Sequence, residues 1–193
     1  MDKSLSIRLY QDIGRHIPRR YMLLLEHAGN GLFWIPVAVI GWFIPAASPF
    51  VRCCLANLFL GFLVDLALVG ALKGLARRQR PVYNQAGDFL LVVSVDKFSF
   101  PSGHASRASF IAAFACTCLA PYSLSICLAA SLVGVTVALS RALMGRHYLG
   151  DVAAGLMLGL LTTAVVTRGT FTTQGFWIGS TDSEYAYRRV MGS

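Results

Sequence analysis

The sequence predicts an all-α membrane protein: a polytopic bundle of about five transmembrane helices, preceded by an N-terminal interfacial helix. Apolar residues make up 55% of the 193 residues and charged residues only 13%, where soluble domains carry about a quarter charged residues. The mean hydropathy is +0.60. This composition excludes an ordinary soluble domain, and the length predicts one domain, residues 1–193.

Five apolar runs are long enough, or nearly so, to cross a bilayer. They cover residues 32–47, 51–75, 102–120, 123–143 and 148–167. Before them, residues 1–28 alternate apolar and basic side chains, a pattern typical of a helix lying on a membrane surface. The tail, residues 169–193, is rich in Gly, Thr and Ser and is predicted to be flexible.

Two polar features of this apolar chain have alternative interpretations. Asp65 lies inside the second run, and an acid at that depth normally faces protein or water, in a structural or a functional role. The cysteines match no zinc pattern, so we interpret them as small buried apolar residues or as partners in a disulfide. They are Cys53, Cys54, Cys116, Cys118 and Cys127.

The net charge of +8 indicates an anionic partner. Nucleic acid is not expected, because the chain has no basic stripe interleaved with aromatic residues. Membrane headgroups and a phosphorylated substrate explain the excess better.

A turn in the middle of the chain, Pro101-Ser102-Gly103-His104, directly opens the third apolar run. A turn that feeds a helix directs unpaired N–H groups outward at the positive end of the helix dipole, which favours an anion. A histidine beside a bound phosphate can donate a proton to a departing oxygen. A simple turn capping a membrane helix would have the same sequence.

Because five spans alternate in direction, the ends of the second and fourth share one membrane face with the starts of the third and fifth. Three cations, two histidines and a carboxylate fall on that face: Lys73, Arg80, Arg141, His104, His147 and Asp151. Such a set is suited to binding and cleaving a phosphate ester.

Two spacings refine this prediction. Lys73 and Arg80 are seven residues apart, so both can point to one side of a helix that ends at Pro81. His147 and Asp151 are four apart and are predicted to stack on one helix face, where the carboxylate holds one ring nitrogen and activates the other. Snorkelling cations and an ordinary helix contact are the alternatives.

Together these residues resemble the signature of the type 2 phosphatidic acid phosphatase superfamily. The three parts are Lys73-x6-Arg80-Pro81, Pro101-Ser102-Gly103-His104 and Ser140-Arg141-x5-His147-x3-Asp151. The surrounding words, such as Lys73-Gly74-Leu75 and Gly145-Arg146-His147, are similar to those of the polyisoprenoid (presqualene) diphosphate phosphatase subgroup.

The resemblance implies a role for each position. His147 would attack phosphorus and form a phosphohistidine, Asp151 would orient it, and His104 would protonate the leaving oxygen. The phosphate would be held by Lys73, Arg80, Ser102, Gly103 and Arg141. We expect no metal and no other cofactor, since Asp88 and Asp96 stand apart from the motifs.

The expected function is therefore dephosphorylation of presqualene, farnesyl or geranylgeranyl diphosphate in the endoplasmic reticulum or nuclear envelope. A broad lipid phosphate phosphatase and an inactive membrane scaffold remain alternatives, whereas the soluble vanadium haloperoxidases do not fit the composition. The site face also carries Lys3, Arg8, Arg15, Arg19 and Arg20. The positive-inside rule then predicts a site that faces the cytoplasm.

Overall fold

A computed structural model describes residues 2–81, 97–119 and 123–168. Its regular structure in these ranges is helical, apart from an isolated bridge between Gln79 and Phe98. The helices are α1 (Asp2–Asp12), α2 (Arg19–Ala28), α3 (Gly31–Trp42), α4 (Pro49–Ala76), α5 (Gly103–Leu119), α6 (Leu124–Leu143) and α7 (Leu149–Arg168), with a 3-10 turn (Gly14–His16) between α1 and α2. The predicted flexible tail, residues 169–193, lies outside the described residues, as do Asp88 and Asp96.

Four helical segments in the described chain are long and apolar enough to cross a membrane: Arg20–Trp42, Val51–Ala76, Leu124–Leu143 and Leu149–Thr167. The first joins α2 to α3, so residues 20–28, expected on the membrane surface, are continuous with a candidate span. It ends at Trp42 rather than at residue 47, ahead of Pro45, which cannot donate the backbone hydrogen bond that continues a helix. The third predicted run forms α5, which has only 17 residues and packs against α4, α6 and α7.

Burial in this bundle is reversed relative to a soluble protein. Large apolar side chains such as Ile40, Leu132 and Leu160 are exposed on the outside of the helices. Polar side chains such as Thr162 and Ser106 are fully buried. Lipid accepts apolar surface at no cost and cannot satisfy polar groups, so this distribution is that of an integral membrane protein.

Close contact between α5 and α7 fixes the start of α5. Gly155 and Gly159 lie one turn apart on α7, against the α5 backbone. A Cβ at position 155 would lie 2.5 Å from the Ser102 carbonyl oxygen, so the helices could not approach this closely with a larger residue. Phe110 of α5 packs edge-to-face on Phe62 of α4 on the other side.

Asp65 faces protein, as its depth predicted. Its carboxylate accepts a hydrogen bond from Ser106 Oγ, and Arg107 Nη1 lies 3.8 Å from its second oxygen. The pair links α4 to α5 just below the start of α5.

The cysteines gather at the end of the bundle away from the site face. Cys116, near the end of α5, forms a disulfide with Cys127, near the start of α6. Cys54 Sγ and Cys118 Sγ lie 3.6 Å apart as thiols.

Candidate active site

The predicted site residues come together where α4 and α6 end and α5 and α7 begin. Arg80, Arg141 and Lys73 all act electrostatically on His147. His104 is in turn close to Arg141 and His147. Lys73, Arg141 and His147 are buried, with exposed fractions of 4%, 1% and 2%.

The backbone before His147 is set by the way α6 ends. Gly145 has a φ of 68°, its N–H donates to the Ala142 carbonyl at 2.9 Å, and the Arg146 N–H donates to the Arg141 carbonyl at 3.1 Å. These two bonds make a Schellman motif, in which glycine takes the left-handed position without steric cost. His147 follows directly, and its own N–H also donates to the Arg141 carbonyl, at 3.2 Å.

The expectation that His147 and Asp151 stack on one helix is wrong, because α7 begins only at Leu149. Nδ1 of His147 lies 2.7 Å from the Ser99 carbonyl oxygen. A carbonyl can only accept a hydrogen bond, so Nδ1 carries the proton and the lone pair of the neutral ring lies on Nε2. The group that contacts Nδ1 and orients the His147 ring is therefore the Ser99 carbonyl, whereas the sequence suggested the carboxylate of Asp151.

Ser99 is itself held by the chain beyond α4. Its N–H donates to the Arg78 carbonyl at 2.8 Å, and its hydroxyl donates to the Gln79 carbonyl at 3.1 Å. Sequence reasoning missed Ser99 because the group in contact with His147 is a backbone carbonyl, which any residue supplies.

Burial lowers the pKa of His147 well below its usual value of 6.5, and the positive charges of Arg80, Arg141 and Lys73 lower it further. The hydrogen bond to Ser99 acts in the opposite direction and is outweighed. The ring is therefore neutral at physiological pH, with a lone pair available for attack.

Arg80 reaches the site from a loop rather than from a helix that continues to Pro81. α4 ends at Ala76, because Arg77 adopts the left-handed conformation (φ 45°, ψ 31°) and caps the helix by donating its N–H to the Lys73 carbonyl. Lys73 lies in the last turn of α4, as expected.

Ser102, at the start of α5, already uses its hydroxyl and its N–H in hydrogen bonds within the protein. Ser102 Oγ accepts the Ala105 N–H at 3.4 Å, and the Ser102 N–H donates to the Asp151 carbonyl at 3.0 Å. The N–H groups of Gly103 and His104 lie in the first turn, where a helix offers donors to an anion.

Asp151 braces the loop around His147. Its carboxylate accepts the Tyr148 N–H at 2.9 Å and an Nη1–H of Arg78 at 2.6 Å. The second guanidinium nitrogen of Arg78 donates to Asp2, also at 2.6 Å. An ion-paired chain therefore joins α7 to α1 through Arg78.

Helix α1 also caps the first turn of α7 directly, a feature that sequence reasoning missed. The Gly150 N–H donates to Asp2 Oδ1 and the Leu149 N–H donates to Ser6 Oγ, both at 2.9 Å. Ser6 is fully buried. Capping normally comes from residues next to the helix in sequence, and here it comes from more than 140 residues away.

A second missed residue is Glu26 of α2, which is buried beside the site. Arg146 Nη1 donates to Glu26 Oε1 at 2.6 Å, and Arg141 Nη1 lies 3.7 Å from Oε2. Within residues 2–81, 97–119 and 123–168, no three His, Cys, Asp or Glu side chains are close enough together to hold a metal ion.

Comparison with known proteins decides the family. Residues 54–174 match the family model described as the PAP2 superfamily, which is more than half of the chain. The chain belongs to the PAP2 superfamily. The resemblance found in the three sequence motifs is thereby confirmed, and the protein is a membrane-embedded lipid phosphate phosphatase.

Relatives of this PAP2 phosphatase support the same class. It is 33% identical to the probable lipid phosphate phosphatase beta of Arabidopsis thaliana over 87% of its own length and 88% of that protein. It is 31% identical to the decaprenylphosphoryl-5-phosphoribose phosphatase of Mycobacterium tuberculosis, over 74% and 75% of the two chains.

The fold agrees with a crystal structure of the same class. The transmembrane PAP2 type phosphatidylglycerolphosphate phosphatase of Bacillus subtilis superposes with a TM-score of 0.67 at 29% identity, covering 86% of this PAP2 phosphatase and 83% of that chain. The bundle is therefore that of a PAP2 membrane phosphatase.

Ser6→Ala tests whether α1 supports the site. The substitution removes the acceptor of the partly buried Leu149 N–H, which should cost about 1 kcal/mol. We expect a lower unfolding temperature in detergent and a lower kcat, because the first turn of α7 loosens. Ser4→Ala, at an exposed position of the same helix, is the matched control and should change neither value. Unchanged stability and kcat in Ser6→Ala would show that the cap is dispensable.

Proposed function

We propose that this protein hydrolyses the terminal phosphoryl group of a membrane lipid or isoprenoid phosphate through a phosphohistidine on His147. The observation that carries the proposal is the contact between His147 Nδ1 and the Ser99 carbonyl, which puts the lone pair on Nε2. Lys73, Arg80 and Arg141 act electrostatically on that ring, where they would also attract a phosphate.

The reaction has two displacements. Nε2 of His147 attacks phosphorus, the bond from phosphorus to the leaving oxygen breaks, and His104 gives its proton to that oxygen. Water then attacks the phosphohistidine, the P–N bond breaks, and His104 takes the proton of the water. The products are a dephosphorylated lipid, or a lipid monophosphate if the substrate is a diphosphate, and inorganic phosphate.

The proposed mechanism needs no metal ion. Lys73, Arg80 and Arg141 would stabilise the charge on the phosphoryl oxygens, together with the N–H groups of Gly103 and His104. In kinases that charge is stabilised largely by Mg²⁺.

His147→Ala tests the nucleophile. We expect kcat to fall by roughly 10⁴-fold or more, as for other deleted nucleophiles. Excess chelator should leave the wild type active, and orthovanadate, which mimics five-coordinate phosphorus, should inhibit it. Trapping of a phosphorylated wild-type chain by rapid acid-free quench is the direct measurement. Activity that is lost in chelator and restored by Mg²⁺ would reject the mechanism.

Isoprenoid diphosphates are the substrate class that we propose first. The support is the sequence around the motifs, such as Gly145-Arg146-His147, which is similar to that of the isoprenoid diphosphate subgroup. A site at the membrane face suits a headgroup at the interface with its hydrocarbon tail in lipid.

Phosphomonoester lipids are the second candidate, because three arginines near the site, which could hold the second phosphate of a diphosphate, are already paired with acids. Arg78 is paired with Asp2 and Asp151, Arg107 lies near Asp65, and Arg146 is paired with Glu26. These arginines are therefore largely neutralised before a second phosphate arrives. The relatives described above, including a decaprenylphosphoryl-5-phosphoribose phosphatase, also act by name on phosphomonoesters.

A matched pair of substrates decides between the two candidates. We expect farnesyl or geranylgeranyl diphosphate to give a higher kcat/KM than phosphatidate in the same detergent micelles. A tenfold preference for phosphatidate, about 1.4 kcal/mol in transition-state free energy, would establish the phosphomonoester class instead.

We propose further that the site faces the cytoplasm from the endoplasmic reticulum or nuclear envelope. The basic N-terminal residues lie on the site face, and the Cys116–Cys127 disulfide lies at the opposite end of the bundle. Disulfides persist in oxidising compartments, which supports a lumenal position for that end.

Cysteine labelling tests this orientation in sealed microsomes. A membrane-impermeant thiol reagent should label Arg15→Cys without permeabilisation. The control Ala46→Cys, in the exposed connection between α3 and α4 on the other face, should react only after permeabilisation. The opposite result would place the site in the lumen.

A further inference from the structure

Glu26 brings a negative charge into a site that is otherwise built to attract an anion. Its side chain is only 7% exposed and lies near three residues from two parts of the chain, the end of α6 with the turn after it and the start of α5. Arg146 lies at 2.6 Å, Arg141 at 3.7 Å and His104 Nε2 at 4.0 Å. A carboxylate this close to the phosphate position weakens substrate binding by repulsion, so its presence calls for a compensating role.

The groups around His104 oppose the protonation that its proposed role requires. To donate a proton, the ring must be protonated, yet it lies close to Arg141, Arg107 and Arg146. Three guanidinium groups oppose a further positive charge beside them. Glu26 is the carboxylate that lies near Nε2 of this ring.

The position of the Glu26 carboxylate suits it to act on His104 through its charge, without accepting the Nε2 proton itself. At 4.0 Å, Glu26 Oε1 is too far from His104 Nε2 for a direct hydrogen bond. The strong bond from Arg146 holds Oε1 in that place. Among the described residues, neither His104 Nε2 nor Glu26 Oε2 has a hydrogen-bond partner, so the Nε2 proton is available to a leaving oxygen.

We propose that Glu26 is a positioning residue for proton transfer: its carboxylate, 4.0 Å from His104 Nε2, stabilises the protonated ring of His104. The inference rests on the function proposed above and adds a residue to it. In the first displacement the proton passes from Nε2 to the leaving oxygen, and in the second it returns from water to Nε2. Glu26 takes no part in the proton transfer and forms no bond to the substrate.

Leaving-group dependence separates this role from a merely structural one. A substrate that departs as an alkoxide needs a proton donor, whereas a nitrophenolate departs without one. Glu26→Gln keeps the shape of the side chain and removes its charge. We expect kcat to fall about 10²-fold on an alkyl phosphate, and less than about fivefold on a nitrophenyl phosphate with an alkyl chain of equal length.

The controls address folding and additivity. Asp12→Asn removes the same charge at an exposed position and should match the wild type on both substrates. Glu26→Asp keeps the negative charge but draws it back from His104 by one methylene group, so it should shift the ratio of the two kcat values in the same sense. It also serves as the test if Glu26→Gln does not fold.

The double variant Glu26→Gln/His104→Ala should be no slower than His104→Ala, because both changes act through one proton donor.

The results also distinguish the two proposals. Equal losses on both substrates in Glu26→Gln, or losses that multiply in the double variant, would overturn the role of Glu26 and leave the phosphatase mechanism standing. Full activity in His147→Ala would instead overturn the mechanism on which that role depends.

Discussion

The site depends on one hydrogen bond, from His147 Nδ1 to the carbonyl of Ser99. It decides which ring nitrogen holds the lone pair, and it joins two non-helical stretches of chain, the one before α5 and the one between α6 and α7. Backbone contacts fix the positions of both partners. The Schellman motif at Gly145 positions His147, and hydrogen bonds to the carbonyls of Arg78 and Gln79 position Ser99. His147 is thereby held in a defined orientation although it lies in a loop.

The sequence predicted the fold class and the gathering of the site well, because both follow from patterns with a direct physical cause. Long apolar runs form membrane helices, and alternating spans bring alternate ends to one face. Lys73, His104, Arg141 and His147 therefore meet as expected. The details of the contacts did not follow. Side-chain spacing suggested a helical His147–Asp151 pair, but where α7 begins depends on capping groups far away in sequence.

The residues that sequence reasoning missed share one property: their importance arises only from contacts over long sequence distances. Glu26 appears in the sequence as one acid in an amphipathic segment, and its partner Arg146 lies 120 residues later. Ser99 contacts His147 through its backbone carbonyl, a group that every residue has, so the residue type gives no indication of the contact. One clue was available for Glu26, since an acid within a candidate membrane span is costly and normally has a partner inside the protein.

The trans cap from α1 to α7 has a consequence for biosynthesis. Asp2 and Ser6 are synthesised more than 140 residues before the backbone groups they bind, at Leu149 and Gly150. During translation α1 is therefore present before its partner, the first turn of α7, has been made. Until then the loop that contains His147 lacks the support of α7. The contacts that support the loop around His147 are therefore complete only after α7 has been inserted beside α1.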